Sequence, residues 1–388
     1  MKRVAFVMSS PGQGWLGGLS YFRNLFEALR SLESSEVTPV LITDPETDAR
    51  HLESFQPIEI LRCPLVDTRT LWWKLRRASQ LYLDRDVWFE RFLRRYQIAL
   101  LSHSGYLGRH CPVPAMPWIP DFQELHFPEF FPAAELTARQ RNLMHCCRHA
   151  SAILLSSQAA HDDLARAAVG CAGRAHVLRF VASVPRIEQL PVLQELERRY
   201  AFTGPYFHLP NQFWAHKNHG VVIDALHRLL KQNRPALVLA TGNIEDHRQP
   251  GHYQKLREHI ASSNLMDRFR VLGVVPYRDL MALMAHSIAV INPSRFEGWS
   301  TTVEEAKSLG KQVLLSDIPV HREQAPQRGF YFDPDNPDQL AELLSQLMSG
   351  YQRDADQAAI ERAASDLPHR RVQFARRYEQ IATAVISR

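Results

Sequence analysis

The sequence predicts an α/β protein of two Rossmann-like domains, and three observations carry that prediction. The chain has 388 residues, enough for two cores in domains of about 150 to 200 residues each. Short apolar, β-rich runs alternate with amphipathic stretches along its length, the pattern of strand and helix units around parallel sheets. The series of runs also restarts after a proline-flanked segment near the middle.

In order, the first series is VAFVMSS, TPVLIT, IALLSH and AILLSS. Each is short and ends in residues that favour turns, as buried strands do. VPRIEQLPVLQEL then interrupts the pattern, which sets a boundary at about residue 190. The second series is YFHLPN, ALVLAT, RVLGVV, IAVINPS and QVLLSD. The last stretch, HRRVQFARRYEQIATAVIS, is helical and follows a completed sheet. The expected division is 1–190, 191–370 and a helix over 371–388 that returns to the first domain.

Composition excludes several classes. The net charge of +5 divides evenly, with 21 Lys and Arg against 18 Asp and Glu up to residue 185 and 25 against 23 beyond, so neither half is a nucleic-acid-binding tail. No apolar run approaches the roughly 18 residues of a membrane span, and MKRVAFVMSSPGQG reads as a first strand rather than a signal peptide. A cytoplasmic protein is expected. The five cysteines are scattered, Cys146 and Cys147 lack the spacing of a zinc site, and all five read as free thiols.

Ligands of parallel sheets bind beyond the carboxyl ends of the strands, where helix N-termini offer free N–H groups. One such place is IAVINPSRFEGWSTTVEEAKSLGK. Here a buried strand runs into the loop Glu297-Gly298-Trp299-Ser300, and a helix over 301–309 ends at Gly310. Thr301 with Glu304 and Thr302 with Glu305 both fit a capping box. Capping does not account for Glu297. A carboxylate at a strand end, a glycine that lets backbone approach, and a helix N-terminus suit a ligand carrying both hydroxyls and phosphates.

Glu297 and Glu305 thus form an E-x7-E motif, and the chain resembles, over nearly its whole length, the retaining GT-B glycosyltransferases of family 4 (glycosyl transferases group 1). The resemblance implies a GT-B fold with two domains facing across a cleft and transfer on domain closure. It assigns Glu297 to the transferred sugar, Glu305 to the ribose, and the N–H groups of Gly298, Trp299, Ser300, Thr301 and Thr302 to the donor diphosphate. In NQFWAHKNHGVVIDAL, Lys217 matches the family's diphosphate lysine, while Asn211 or Gln212 stands where an arginine is usual; Arg295 is an alternative source of that charge. His216 and His219 shape the loop. Gly17 and Gly18 match the glycine-rich loop that opens the first helix. Gly12, Gly14 and Gly17 also spell GxGxxG, but that fingerprint wants the helix to open within the motif, whereas here it is expected after Gly18, and Asp44 lies 27 residues past Gly17, against about 20 in a dinucleotide site. Val274 and Val275 are implied beside the base.

In WIPDFQELHFPEFF, Asp121 matches the family's aspartate and is expected to be catalytic with Lys217 and Glu297, while Pro120 replaces the usual histidine. Glu124 and His126 are acceptor-side candidates or loop scaffolding. The acidic pairs Asp84/Asp86, Asp333/Asp335 and Asp354/Asp356 end no clear buried strand, so no metal and no cofactor are expected beyond the nucleotide-sugar co-substrate. Two readings stand for LWWKLRRASQLYLDRDVWFERFLRRYQ: basic and aromatic residues that meet a membrane surface, or aromatics facing the core with arginines in water.

The resemblance therefore implies a hexosyltransferase (EC 2.4) of polysaccharide biosynthesis acting on a saccharide or lipid-linked acceptor, with possible peripheral membrane association at the inner face. The alternatives are an epimerase or phosphorylase of the same fold, or a nucleotide-sugar-binding protein without catalysis.

Overall fold

Each apolar run named above forms a strand, and the strands pair in parallel. The structure, a computed structural model, describes residues 1–8, 16–105, 107–246 and 248–388. It divides into two units, Met1–Phe180 with His369–Arg388 and Val181–Pro368. The division precedes residue 190 because the proline-flanked segment packs into the second unit, where Val184, Ile187, Leu190 and Leu193 join a core cluster.

The first unit begins with β1 (Lys2–Met8), α1 (Leu16–Arg30), β2 (Val37–Thr43), α2 (Ala49–Leu52) and β3 (Glu59–Arg62). It continues through α3 (Leu71–Leu83), α4 (Val87–Arg95), β4 (Ile98–Ser102) and β5 (Ala115–Met116) to complete a sheet ordered β3-β2-β1-β4-β5. Next come β6 (Trp118–Ile119), α5 (Gln123–His126), α6 (Ala133–His149), β7 (Ile153–Leu155), α7 (Gln158–Ala167) and β8 (Ala175–Val177), whose strands form a second sheet, β6-β7-β8. Pro117 separates β5 from β6. It has no N–H to donate, yet its carbonyl accepts from Leu154 N–H at 2.8 Å. Cys147 of α6 is joined to Cys171 as a disulfide, with Cα atoms 5.3 Å apart, which corrects the reading of five free thiols. Cys63, Cys111 and Cys146 are free.

The second unit runs α8 (Leu193–Tyr200), β9 (Phe207–Leu209), α9 (His219–Lys231), β10 (Val238–Thr241), α10 (His252–Ser262), β11 (Phe269–Gly273) and α11 (Tyr277–His286). Then follow β12 (Val290–Asn292), α12 (Thr301–Ser308), β13 (Val313–Ser316), α13 (Pro319–Gln324), β14 (Gly329–Phe332) and α14 (Pro337–Gly350). Its sheet is ordered β11-β10-β9-β12-β13-β14. Successive residues of a strand point to opposite faces, and here they feed two cores. Val238, Ala240, Ile291 and Leu314 join one cluster, while Leu239, Val290, Val313 and Leu315 join the other. Helices therefore cover both faces, and the strand order reverses direction between β9 and β12, the switch point at which such sheets take ligands.

The last helix, α15 (Arg353–Ile386), contributes to both units, with Pro368 in its interior at the division. In the first unit, buried Tyr378 donates to Ser102 Oγ at 2.9 Å, and Glu379 Oε1 accepts from Ser35 Oγ at 2.8 Å and Glu36 N–H at 2.6 Å. In the second, Gly310 has φ +70° and lies so close to the helix that a Cβ there would stand 2.5 Å from the Ala359 carbonyl oxygen, so glycine is required on both counts. No helix among the described residues is long and apolar enough to cross a membrane.

Candidate functional site at the switch point of the second unit's sheet

The loops after β9 and β12 meet at the switch point because short polar side chains tie the strand ends together. Asn211, just past β9, is buried and donates to Asn292 Oδ1 at 3.0 Å at the end of β12. Asn292 Nδ2 in turn donates to Ser300 Oγ at 2.8 Å. Asn211 is thus occupied in joining two strands. Gly242, after β10, must be glycine for the same packing reason, since a Cβ there would lie 2.4 Å from the Asn211 carbonyl oxygen.

Lys217 ends a 3-10 turn over Ala215–Lys217, directly before Asn218, which takes the left-handed conformation with φ 56° and starts α9. Asn218 tolerates that conformation and donates to the carbonyls of Pro293 at 3.2 Å and Pro334 at 2.9 Å, fixing the turn against the loops after β12 and β14. From this position the Lys217 ammonium donates to Glu297 Oε1 at 2.7 Å, and Ser294 Oγ lies 2.7 Å from the same oxygen. Burial alone raises the Glu297 carboxyl; the Lys217 ammonium, with His321 nearby, more than reverses this and holds it at about 2. His216 is buried beside it and His219 is buried against Phe213, burial pushing each imidazole down to about 3, so both are neutral.

Glu305, on α12, has the opposite electrostatics. Burial raises its carboxyl to about 7, only partly offset by Tyr277 Oη, which donates to Oε1 at 3.3 Å. The two glutamates of the motif therefore differ in kind: one is an anion fixed by a cation, the other a carboxyl poised to take or lose a proton.

The capping expectation fails at α12. The cap is Ser300, whose Oγ accepts from Val303 N–H at 3.4 Å. Glu304 instead accepts from Lys307 and Gln324 Nε2, both at 3.1 Å. Ser300 N–H donates to Gln324 Oε1 at 3.2 Å and is spent, which corrects its place among the diphosphate donors. Thr301 and Thr302 N–H, at the first two helical positions, have no partner among the described residues. Thr302 Oγ1 donates to the Pro210 carbonyl at 3.2 Å. Gly298 and Trp299 are half-buried in the loop.

Val274 is exposed and Val275 half-buried, both in the connection from β11 to α11 at the carboxyl edge of the sheet. Arg295 pairs with Asp335 at 2.5 Å. Three of the acidic-pair residues of the other two motifs are likewise engaged: Asp84 with Arg109, Asp86 with Arg76, and Asp356 with Lys311 and Arg328.

His321, Gln324 and Ser294 went unread in the sequence. His321 of α13 is buried, its Nδ1–H donates to the Ser316 carbonyl at 2.9 Å, and Nε2 has no partner among the described residues. The carboxyl-end rule points to it, because α13 follows β13. Gln324 gives no such signal.

In the first unit, Asp121 Oδ1 accepts from Gln123 N–H at 3.1 Å and opens α5. Glu124 accepts from Arg139 at 3.2 Å and His126 Nε2 donates to Asp163 at 2.9 Å. Gly17 and Gly18 lie inside the first turn of α1 rather than before it. Gly12 and Gly14 lie outside the described residues.

With this geometry in place, comparison with known proteins is specific for the second unit. Residues 203–366 match the family glycosyl transferases group 1. The O-antigen chain mannosyltransferase RfbU of Salmonella typhimurium is 25% identical over 136 residues, which cover 34% of this chain and 35% of that protein. Over the whole chain the fold is similar to HepE of Anabaena solved with UDP and glucose (TM-score 0.69, 17% identity, 100% of both chains). It is also similar to a glycosyltransferase of Rickettsia africae (TM-score 0.68, 15% identity, 99% of this chain and 98% of that one). The fold is thus that of GT-B glycosyltransferases, with two Rossmann-like domains and the C-terminal helix packed on the first.

Proposed function

We propose that the protein is a retaining glycosyltransferase of the family 4 type, moving a hexosyl group from a nucleotide sugar to a saccharide or lipid-linked acceptor without a metal. The observation that carries this reading is the grouping at one switch point of Lys217, Glu297, Glu305 and the two unpartnered amides of α12. A nucleotide sugar has the matching parts in the matching order: sugar hydroxyls for Glu297, diphosphate for Lys217 and the Thr301 and Thr302 amides, ribose hydroxyls for Glu305. The RfbU match and the UDP and glucose held by HepE favour the same ligand class.

In the proposed reaction the bond from the anomeric carbon to the β-phosphate oxygen breaks as the acceptor oxygen attacks from the same face. The leaving phosphate takes the acceptor's proton. Negative charge grows on the diphosphate, and preorganised donors facing that charge lower the barrier. Asp121 is assigned to the acceptor side, in the first unit. A cytoplasmic location, with peripheral contact at the inner face of a membrane, fits a lipid-linked acceptor.

A second reading, a nucleotide-sugar-binding protein without turnover, draws on Asn211 or Gln212 standing where the resembled family usually has an arginine, with Asn211 tied to Asn292. One experiment separates the two. Thermal shifts with UDP, GDP, ADP, CMP and dTDP in EDTA identify the nucleotide, and the matching nucleotide sugar is then incubated with and without oligosaccharide acceptors. Transfer that keeps the anomeric configuration supports the proposal. Binding without transfer or hydrolysis supports the second reading, and a strict need for a divalent ion contradicts the metal-free site.

A further inference from the structure

Nearly half of the large apolar side chains that stand exposed among the described residues fall between Leu71 and Trp88. They are arranged. On α3, Leu71, Leu75 and Tyr82 are spaced by four and seven residues and so share one helical stripe, with Leu71 69% and Tyr82 86% exposed. Trp72, 50% exposed, meets Trp88 of α4 edge to face, ring centroids 6.1 Å apart, and carries the apolar surface onto the second helix. An amphipathic helix of a globular protein ordinarily buries its apolar stripe. Here the stripe faces solvent, against the reading that places these side chains in the core. The helix is anchored instead by Ser79, Gln80 and Arg76, the last two bonded to buried Asp86.

The charges of the same segment are sorted. Its acids are occupied: Asp86 by Arg76 and Gln80, Glu90 by Arg85 at 2.5 Å, and Asp84 by Arg109 at 3.4 Å. Lys74, Arg91 and Arg95 are exposed and have no acidic partner among the described residues. An exposed apolar stripe with tryptophans, edged by unpaired cations, complements a surface that is apolar inside and anionic at its rim. A second copy meeting this face across a two-fold axis would set the cations against themselves. We infer that the α3–α4 face docks on a lipid bilayer containing anionic headgroups, with Leu71, Leu75, Tyr82 and Trp72 entering the interface and Lys74, Arg91 and Arg95 meeting the headgroups.

The test is flotation of the full chain with vesicles of phosphatidylcholine alone or mixed in equal parts with phosphatidylglycerol. No donor or acceptor is used, so a negative result leaves the transferase reading standing. Wild type is expected to float with the mixed vesicles and to be released by salt. Leu75→Ser and Tyr82→Ser should each weaken partitioning by about tenfold, and Lys74→Gln and Arg91→Gln by about fivefold each. All four sites are exposed, so unchanged thermal unfolding checks the fold of each variant. Lys255→Gln with Arg257→Gln, on exposed positions of α10, should float like wild type. A blue shift of tryptophan emission on binding, reduced in Trp72→Phe, places the face itself in the interface. Absence of flotation, equal loss in the α10 control, or self-association through this face without lipid each overturns the inference.

Discussion

The sheet of the second unit carries a lysine paired with a carboxylate at each of its two ends, and the pairs differ in what is left over. At the amino end, Lys311 is wholly buried; its ammonium donates to Asp356 and, at 2.7 Å, to the Ser287 carbonyl, while Arg328 reaches the other Asp356 oxygen at 2.6 Å. That pair joins α15 to the starts of β12, β13 and β14. At the carboxyl end, Lys217 donates to Glu297 alone and its side chain stays 15% exposed. An ammonium has three donors, so Lys217 keeps capacity for a ligand. Residue type does not separate the two lysines; position in the fold does. The carboxyl end also holds the N-termini of α9 and α12, which favour an anion, whereas the amino end holds a closed network.

Four predictions bear on this contrast, in order of expected size. Lys311→Met leaves a buried carboxylate with half its partners and should cost about 3 kcal/mol of stability or more, read as the shift in a denaturant unfolding curve. A cost under ~0.5 kcal/mol would dissolve the distinction between the two ends. Lys217→Ala should lower the single-turnover rate by about 10²- to 10³-fold, or ~2.7 to 4 kcal/mol of lost transition-state stabilisation, with a smaller loss of donor affinity. A near-native rate would show that the open donors of Lys217 are not used.

The third prediction concerns the two glutamates. Glu305 is raised by burial from 4.5 to about 7, so between those values the folded chain holds a proton that the unfolded chain has released. Stability then falls as pH rises through that window, by about 3 kcal/mol in all. Glu297, brought down to about 2 by Lys217 against its burial, acts oppositely: its contribution is full above the ordinary carboxyl value and is lost as pH falls toward 2. The Glu305 slope is isolated by subtracting the pH–stability curve of Glu305→Gln from that of wild type, which cancels the buried histidines. Parallel curves from pH 5 to 7 would refute the assignment. The smallest effect is expected at Asp121→Asn, about tenfold in turnover or ~1.4 kcal/mol, with nucleoside diphosphate affinity unchanged; equal losses in both would remove Asp121 from the acceptor side.

Much of this was legible in the sequence because strands in parallel sheets are continuous apolar runs and ligand loops follow them. IAVINPS and QVLLSD marked β12 and β13 without ambiguity. GFYF of β14 and EILR of β3 escaped notice because they are short edge strands with polar or small ends, where the apolar signal is weakest. At the site, Glu297 stands out from the local pattern, while Lys217 and the role of Glu305 come from the resemblance to the family. What the pattern could not give was who bonds whom. Thr301 and Thr302 both match a capping box, yet Ser300 takes the cap because Asn292 fixes its hydroxyl, and Gln324, 24 residues away, takes its N–H. Asn211 read as a ligand contact for the same reason: its partner lies 81 residues on. The disulfide between Cys147 and Cys171 is a third long-range pairing that spacing does not reveal.

The central claim is that the cation at the carboxyl end of the second unit's sheet reads the ligand and the cation at its amino end holds the fold. Calorimetric titration of the nucleoside diphosphate, in EDTA, into wild type, Lys217→Ala and Lys311→Met tests it most directly. The account predicts weaker binding to Lys217→Ala and wild-type affinity for the folded Lys311→Met protein. Wild-type affinity in Lys217→Ala together with weakened binding in Lys311→Met would contradict it.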